Sequence, residues 1–330
     1  MDNISVSVCI SVYNTEKYLP RCLDSVIAQT LHSLEIVLVN NGSTDSSEAI
    51  MRQYESNHPE RKFIIVSQED RGLAQGRQSG VNVATGQYIT FLDADDYVYP
   101  SAYQKMYEAG VKNNADIIEI ETVRDGNIIS SPYEGLKDSH SVLNRYFKKN
   151  DLPSMLWMRM YHRNLFEKPV FPKLYTNNED MFGLPCLLHA AKSVYFLKEP
   201  LHVYSVDNEL AVMSNLKKKK DEKYFKARSK ALYAVPFVEK YIGEKYINNE
   251  YSESFFFYKS RIIIGFLFYR FAEIGYKNRI DAVKEVLGLS SVPETEQVIR
   301  KLARKDGIGR LIKSIGVQNT FKLYQLFKRV

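Results

Sequence analysis

Four short apolar runs, each followed by a stretch with helical periodicity, set the fold class of this 330-residue chain. Ser5 to Val12 reads SVSVCISV, Glu35 to Asn40 EIVLVN, Phe63 to Ser67 FIIVS and Tyr88 to Leu92 YITFL. Runs this rich in β-branched residues belong to strands covered on both faces. Between them, Leu19, Cys22, Leu23, Val26 and Ile27 recur at helical spacing, with Asn14 or Thr15 placed to cap. Asp45, with Glu48 three residues on, starts a second helix, and Ser79 to Ala84 makes a third. Such alternation predicts an α/β fold, a parallel sheet with helices on both sides. A helix over Tyr103 to Lys112 and an isoleucine-rich strand over Asp116 to Thr122 extend it, before turn residues at Asp125-Gly126-Asn127 and Ser130-Ser131-Pro132. A strand and connecting loop, SVYFLKEPLHVYSV, close this half.

The fourth run ends in three acids within four positions, Asp93, Asp95 and Asp96 of FLDADDYVYP. Like charges so close repel, and ligands bind at the carboxyl ends of strands in open α/β sheets. A divalent cation carrying a phosphate is therefore one reading. Capping and solvation of a strand-to-helix turn is the other. Glu179 and Asp180 form a second acidic pair, at the start of a helix whose Phe182, Leu187, Leu188 and Ala191 face the core. A helix dipole alone accommodates acids there. No glycine-rich phosphate loop of the dinucleotide or Walker type is present.

Charge divides the chain. Residues 1–215 hold 20 Lys and Arg against 27 Asp and Glu, net −7, whereas residues 216–330 hold 25 against 12, net +13. The basic part predicts an anionic partner. Its four lysines, Lys217 to Lys220, are not interleaved with a nucleic-acid motif, so no nucleic acid is expected. Periodicity through YFKARSKALYAVPFVEKYI and SESFFFYKSRIIIGFLFYRFAEIGY predicts a helical domain over 216–330, after an α/β domain over 1–215. The final stretch, 307–330, reads as a basic amphipathic helix that either lies on an anionic membrane or packs on its own domain or a second copy. The uncharged apolar run Ile262 to Tyr269 is too short to span a bilayer, and no signal peptide is expected. Cys9, Cys22 and Cys186 lack metal-ligand spacing and fit buried thiols in a reducing cytoplasm.

The order and spacing of SVSVCISVYNTEKYLPRCLDSVIAQT, EIVLVNNGSTDSS, QEDRGLAQGRQSGVNVATGQYITFLDADD and NNEDMFG resemble glycosyltransferase family 2, over residues 4 to about 205. The resemblance implies a GT-A fold, the Rossmann-like fold of nucleotide-diphosphosugar transferases, and inverting transfer from a UDP-sugar. Ser11, Val12, Tyr13 and Asn14 would line the nucleotide base, as would Asn41, which stands where the family usually has Asp. Arg71, Gly72 and Arg77 would meet ribose and diphosphate. Asp93 and Asp95, flanking Ala94, match the family's Asp-x-Asp motif, the first directed to ribose and the second to Mn²⁺ or Mg²⁺. Asp180 matches the catalytic base, with Glu179 either positioning the acceptor or raising the pKa of the base by like-charge repulsion. Trp157 would stack on an acceptor sugar, and His202 would approach the metal or diphosphate; the other reading places the lone Trp in the core and makes the His structural. The family's terminal arginine is missing from Leu201-His202-Val203-Tyr204-Ser205, and Lys217 to Lys220 could stand in for it.

Two classes of function follow from these readings. One is a metal-dependent glycosyltransferase acting on a surface-polysaccharide, teichoic-acid-like or lipid-linked acceptor, held at the inner face of the cell membrane by its basic domain. The other is a GT-A module without turnover that scaffolds a polysaccharide assembly complex.

Overall fold

A computed structural model describes residues 4–149, 151–176, 178–207, 229–270, 276–289 and 291–302. The chain divides into two compact units, residues 1–143 with 151–218, and residues 144–150 with 219–330. The division expected from composition, at 215/216, assigned 144–150 to the first unit.

In the first unit, β1 (Val6–Val12), β2 (Leu34–Asn41), β3 (Lys62–Gln68) and β4 (Tyr88–Asp93) are the four apolar runs. They alternate with α1 (Leu19–Ile27), α2 (Ser47–Asn57) and α3 (Leu73–Val83). Every residue of β2 is buried, as a strand covered on both faces requires. Then come β5 (Tyr97–Val98), α4 (Ala102–Asn113), β6 (Ile117–Arg124), β7 (Asn127–Ile129), β8 (Gly135–Asp138), α5 (Ser139–Lys148), β9 (Arg159–His162), α6 (Asp180–Ala190) and β10 (Ser193–Val203). The strands form one mixed sheet in the order β3-β2-β1-β4-β9-β6-β10-β5, with β7 on β6 and β8 on β10. β1, β2, β3 and β4 pair in parallel, and β9 enters antiparallel between β4 and β6. The strand order reverses at β1, which lies between β2 and β4. A ligand crevice is expected outside the carboxyl ends of strands at such a reversal. Register brings those ends level, Ser11 opposite Asp93, Val12 opposite Asn40 and Asn41 opposite Gln68.

Several local expectations are corrected. Asn14 and Thr15 cap no helix, since α1 begins at Leu19. Asn14 instead adopts φ 51°, and its Oδ1 accepts the Thr44 N–H at 2.8 Å, tying the end of β1 to the loop after β2. Asp45 and Glu48 form no reciprocal cap. Asp45 accepts the N–H groups of Ser47 and Glu16, each at 3.0 Å, while Glu48 accepts from Asn40 and Ser67. Ser79 to Val83 is only the second half of α3. Polar Gln75, Arg77 and Gln78 mask the periodicity of its first turns, because Arg77 is buried there for its charge.

The second unit is helical in its described residues beyond 229: α7 (Ala234–Ile242), α8 (Glu244–Asn249), α9 (Ser252–Ile264), a π-helical turn (Gly265–Arg270), α10 (Tyr276–Leu287) and α11 (Val292–Leu302). Phe147, at the end of α5, lies in its core, with ring centroids 4.9 Å from Tyr258, 5.3 Å from Phe255 and 5.8 Å from Tyr251. Among the described residues no helix is long and apolar enough to cross a membrane. Lys217 to Lys220 and the basic stretch 307–330 lie outside the described residues.

Candidate active site

The crevice at the ends of β1, β2 and β4 is built around one cation. Arg77, on α3, is 3% exposed and reaches three acids from two distant segments. Its Nη2 lies 2.8 Å from Asp93 Oδ1 at the end of β4, and its Nη1 lies 3.2 Å from Glu179 Oε1 and 3.4 Å from Asp180 Oδ1 at the start of α6. The ring of Phe91 packs beneath the guanidinium, 5.4 Å from its centre. Three carboxylates on one buried cation cannot all stay ionised cheaply. Burial pushes Glu179 up to about 8, with Asp180 and Asp93 adding to the rise and Arg77 opposing it. Of the three, Glu179 is the carboxyl that burial drives most strongly towards its neutral form. Asp180 is also raised by burial, while Arg77 and the Leu156 N–H, 3.1 Å from its Oδ1, pull it back. The Asp180 side chain is 25% exposed against 3% for Glu179, so Asp180 is the acid that a substrate can touch.

The other acids of FLDADDYVYP have separate surroundings. Asp93 and Asp95 are half-buried at the strand end, whereas Asp96 turns inward. Asp96 Oδ1 accepts the Ser205 N–H at 2.8 Å, and Oδ2 lies 3.5 Å from His202 Nε2. Burial raises Asp96 well above the usual carboxylate range, helped by Asp93 and Asp95, and lowers His202 to about 3. Burial thus works against charge on both groups. Asp96 caps no helix; it ties the turn after β4 to the exit of β10. Arg21 reinforces the tie, donating from Nη2 to the Asp95 carbonyl at 2.9 Å and to Ser205 Oγ at 2.7 Å, and pairing with Asp207 at 2.9 Å.

Among the described residues no three ligating side chains form a ready-made metal cage. Two carboxylates on alternate residues at a strand end do suit a hard divalent ion that takes its other oxygens from phosphate and water. Asp93 and Asp95 therefore fit such an ion in company with a diphosphate.

The nucleotide-side residues converge as well. Tyr13 is 48% exposed beyond the end of β1, while Val12 and Ala94 are buried and Ser11 is half-buried. A Cβ on Gly76 would sit 2.3 Å from Ser11 Oγ, so the glycine lets α3 approach β1 closely. Asn41 is buried, with both amide atoms engaged. Its Oδ1 accepts from Gln68 Nε2 at 2.7 Å, and its Nδ2 donates to Asp70 Oδ1 at 3.1 Å. Asp70 also accepts the Gly72 N–H at 3.0 Å and the Tyr175 hydroxyl at 2.9 Å. Arg71 is exposed on this loop. Gly72, at φ 80°, abuts Thr176, and the Thr176 carbonyl accepts the Ala74 N–H, which stitches the segment before α6 to the start of α3.

Two expected site residues lie elsewhere. Trp157 is 5% exposed and stacked on His202, with ring centroids 4.4 Å apart, and on Tyr204 at 5.6 Å. Its ring offers no open face to an acceptor, because neighbours from β10 and the following loop cover it. His202 is 1% exposed behind Asp96. Sequence reasoning missed Asp70, Tyr175 and Arg21, whose partners, apart from the Gly72 N–H on Asp70, are far away in the chain. The only local signal was the acid Asp70 immediately before Arg71-Gly72.

Residues 7–169 match the family model described as Glycosyl transferase family 2. Glycosyltransferase GlyA of Streptococcus pneumoniae is 30% identical over 214 residues, covering 61% of this chain and 30% of GlyA. The uncharacterised glycosyltransferase EpsJ of Bacillus subtilis is 30% identical over 214 residues, 60% of each protein. The chain thus spans less than two thirds of the length of these curated relatives. Among solved structures, Staphylococcus aureus TarS residues 1–349, in complex with UDP-GlcNAc, aligns with 98% of this chain and 91% of its own at a TM-score of 0.64 and 14% identity, a likeness of fold. The motifs that build the site fall mostly within the matched residues, and by that match residues 7–169 of this chain belong to glycosyl transferase family 2.

Proposed function

We propose that this chain is an inverting, metal-dependent glycosyltransferase that moves a hexosyl or N-acetylhexosaminyl group from a UDP-sugar to a hydroxyl of a glycan or lipid-linked acceptor. The observation that carries this reading is the shared cation. Arg77 ties the acid at the end of β4, on the donor side, to the acid at the start of α6, on the acceptor side. A donor lying over Asp93 would present its anomeric carbon towards Asp180.

The chain's own groups supply most of the chemistry. Asp180 takes the proton of the acceptor hydroxyl as that oxygen attacks the anomeric carbon, opposite the leaving diphosphate, so one displacement inverts the centre. Burial holds Glu179 towards its neutral form, which lessens the negative charge beside Asp180, while Arg77 and the Leu156 N–H favour the ionised base. Asp95, with Asp93 beside it, would hold a divalent ion, which when bound offsets the charge developing on the diphosphate. Solved neighbours support the donor class: a TarS structure holds UDP-GlcNAc, and the mannosyltransferase PcManGT of Pyrobaculum calidifontis holds GDP-Man and Mn²⁺. The net charge of +13 over residues 216–330 supports a cytoplasmic enzyme held at an anionic membrane face, near a surface-polysaccharide precursor.

A thermal-shift panel of nucleotides and sugar nucleotides, with and without Mn²⁺, tests the reading. A UDP-sugar should raise the melting temperature only with metal, and Asp95→Ala should abolish that rise. Asp180→Asn should keep the rise and lose transfer by a factor of about 10²–10⁴. Transfer by Asp180→Asn at the wild-type rate would remove the base assignment.

A further inference from the structure

A second buried ion pair stands next to the proposed base. Glu119, on β6, and Arg159, the first residue of β9, are 3% and 2% exposed, and Glu119 Oε2 lies 2.5 Å from Arg159 Nη2. The same guanidinium grips the preceding loop, donating from Nη1 to the Met155 carbonyl at 2.6 Å and from Nη2 to the Pro153 carbonyl at 2.8 Å. The next N–H along that loop is Leu156, which donates to Asp180 Oδ1 at 3.1 Å. Around this point the Tyr161 hydroxyl holds the Leu156 carbonyl at 3.1 Å, and Thr90 Oγ1 holds the Arg159 carbonyl at 3.0 Å. The segment from Pro153 to Arg159 is therefore closed into a loop by its own arginine, and Glu119 anchors that arginine to the sheet.

Burying such a pair is no gain in stability over a well-packed apolar pair. What it provides here is direction: an arginine fork can fix two carbonyls at once, which an aliphatic side chain cannot. We propose that Arg159, anchored by Glu119, is a positioning residue that keeps the Leu156 N–H on the carboxylate of Asp180. The proposal rests on Asp180 being the base. The charged or titratable groups that face Asp180 are Arg77 from α3, Glu179 beside it on α6, Asp93 from β4, and Tyr161 and Arg159 from β9. A hydrogen bond to the ionised form favours that form, and the positive charge of Arg159 acts in the same direction. Releasing the loop should therefore make Asp180 harder to ionise.

The test is the pH dependence of kcat/KM for sugar transfer, with UDP affinity in the presence of Mn²⁺ and the melting temperature measured in parallel on the full chain. In the Glu119→Leu/Arg159→Met double variant both charges leave together, so no buried charge is stranded. The acid limb should move to higher pH by about half to one unit, the equivalent of one lost hydrogen bond, while UDP affinity stays within about twofold. Arg159→Lys provides the second measurement. It keeps a charge opposite Glu119 but cannot hold both carbonyls, and it should move the limb in the same direction even if the double variant fails to fold. An acid limb unmoved in the folded variants, with Asp180→Asn inactive, overturns the proposal alone. Wild-type transfer by Asp180→Asn overturns the base assignment and this proposal with it.

Discussion

Asp93 Oδ1 lies 2.8 Å from Arg77 Nη2, and through that contact the end of β4 is joined to the same guanidinium that holds the first acids of α6. Arg77 is thus the only link of this kind between donor-side and acceptor-side acids among the described residues. Arg77→Met should leave Asp93 and Asp180 without a countercharge and destabilise the fold by about 3–5 kcal/mol. Arg77→Lys should fold but lose transfer, because a point charge cannot contact acids on both sides as the planar fork does. Urea unfolding and a transfer assay on both variants check this.

Glu179 predicts an inverse pH dependence for this region. Its carboxyl titrates near 8 in the folded protein, pushed there by burial, and near 4.5 in the unfolded chain. Between those values the folded state holds the extra proton. The stability it contributes is fully present below about 4.5 and is lost as pH rises towards 8. Wild-type melting temperature should therefore decline over that window relative to Glu179→Gln, whose side chain cannot ionise. Parallel melting curves for the two proteins from pH 5 to 9 would contradict the assignment.

Asn41 and Asp70 should behave as a matched pair. Asn41→Asp, which restores the residue usual in the family, places a carboxylate about 3 Å from Asp70 Oδ1 in a buried position. The melting temperature should fall, more at pH 8 than at pH 5, where one proton can be shared. Adding Asp70→Asn should recover most of the loss. A double-mutant thermal cycle at the two pH values measures the coupling, and additive effects would show the pair to be independent.

Gly72 carries a backbone conformation and a close approach together. At φ 80°, a Cβ there would lie 2.9 Å from the Thr176 amide nitrogen. Gly72→Ala should cost about 1–3 kcal/mol and push the segment before α6 away from α3. Differential scanning calorimetry should show the drop, and transfer should fall further than stability does, because that segment leads directly into Asp180.

Legibility in the sequence followed the range of each interaction. The four parallel strands and the acid Asp93 could be read because a buried strand and the charge that ends it are neighbours in the chain, whereas Asp180, at the start of α6, came from the family resemblance. Arg77 could be named but not placed at the centre. Its partners stand 16 and about 100 positions away, and no local pattern marks a cation that serves both. The sequence left Trp157 between a sugar-stacking surface and the core, and its exposure is decided by His202 and Tyr204, which fold over it from more than forty residues downstream. The Leu156 N–H was invisible for a simpler reason: a backbone donor carries no residue signature.

Residues 144–150 give the second unit a different kind of dependence. Phe147 is made more than a hundred residues before Tyr251, Phe255 and Tyr258, the rings that cover it. During synthesis an aromatic patch at the end of α5 must therefore wait, unburied, until the last third of the chain emerges. A chain stopped at residue 218 would keep that patch permanently uncovered. Aggregation of the shortened protein, relieved by Phe147→Ser, would show that the two units are interleaved in the order of their making and cannot be separated by one cut.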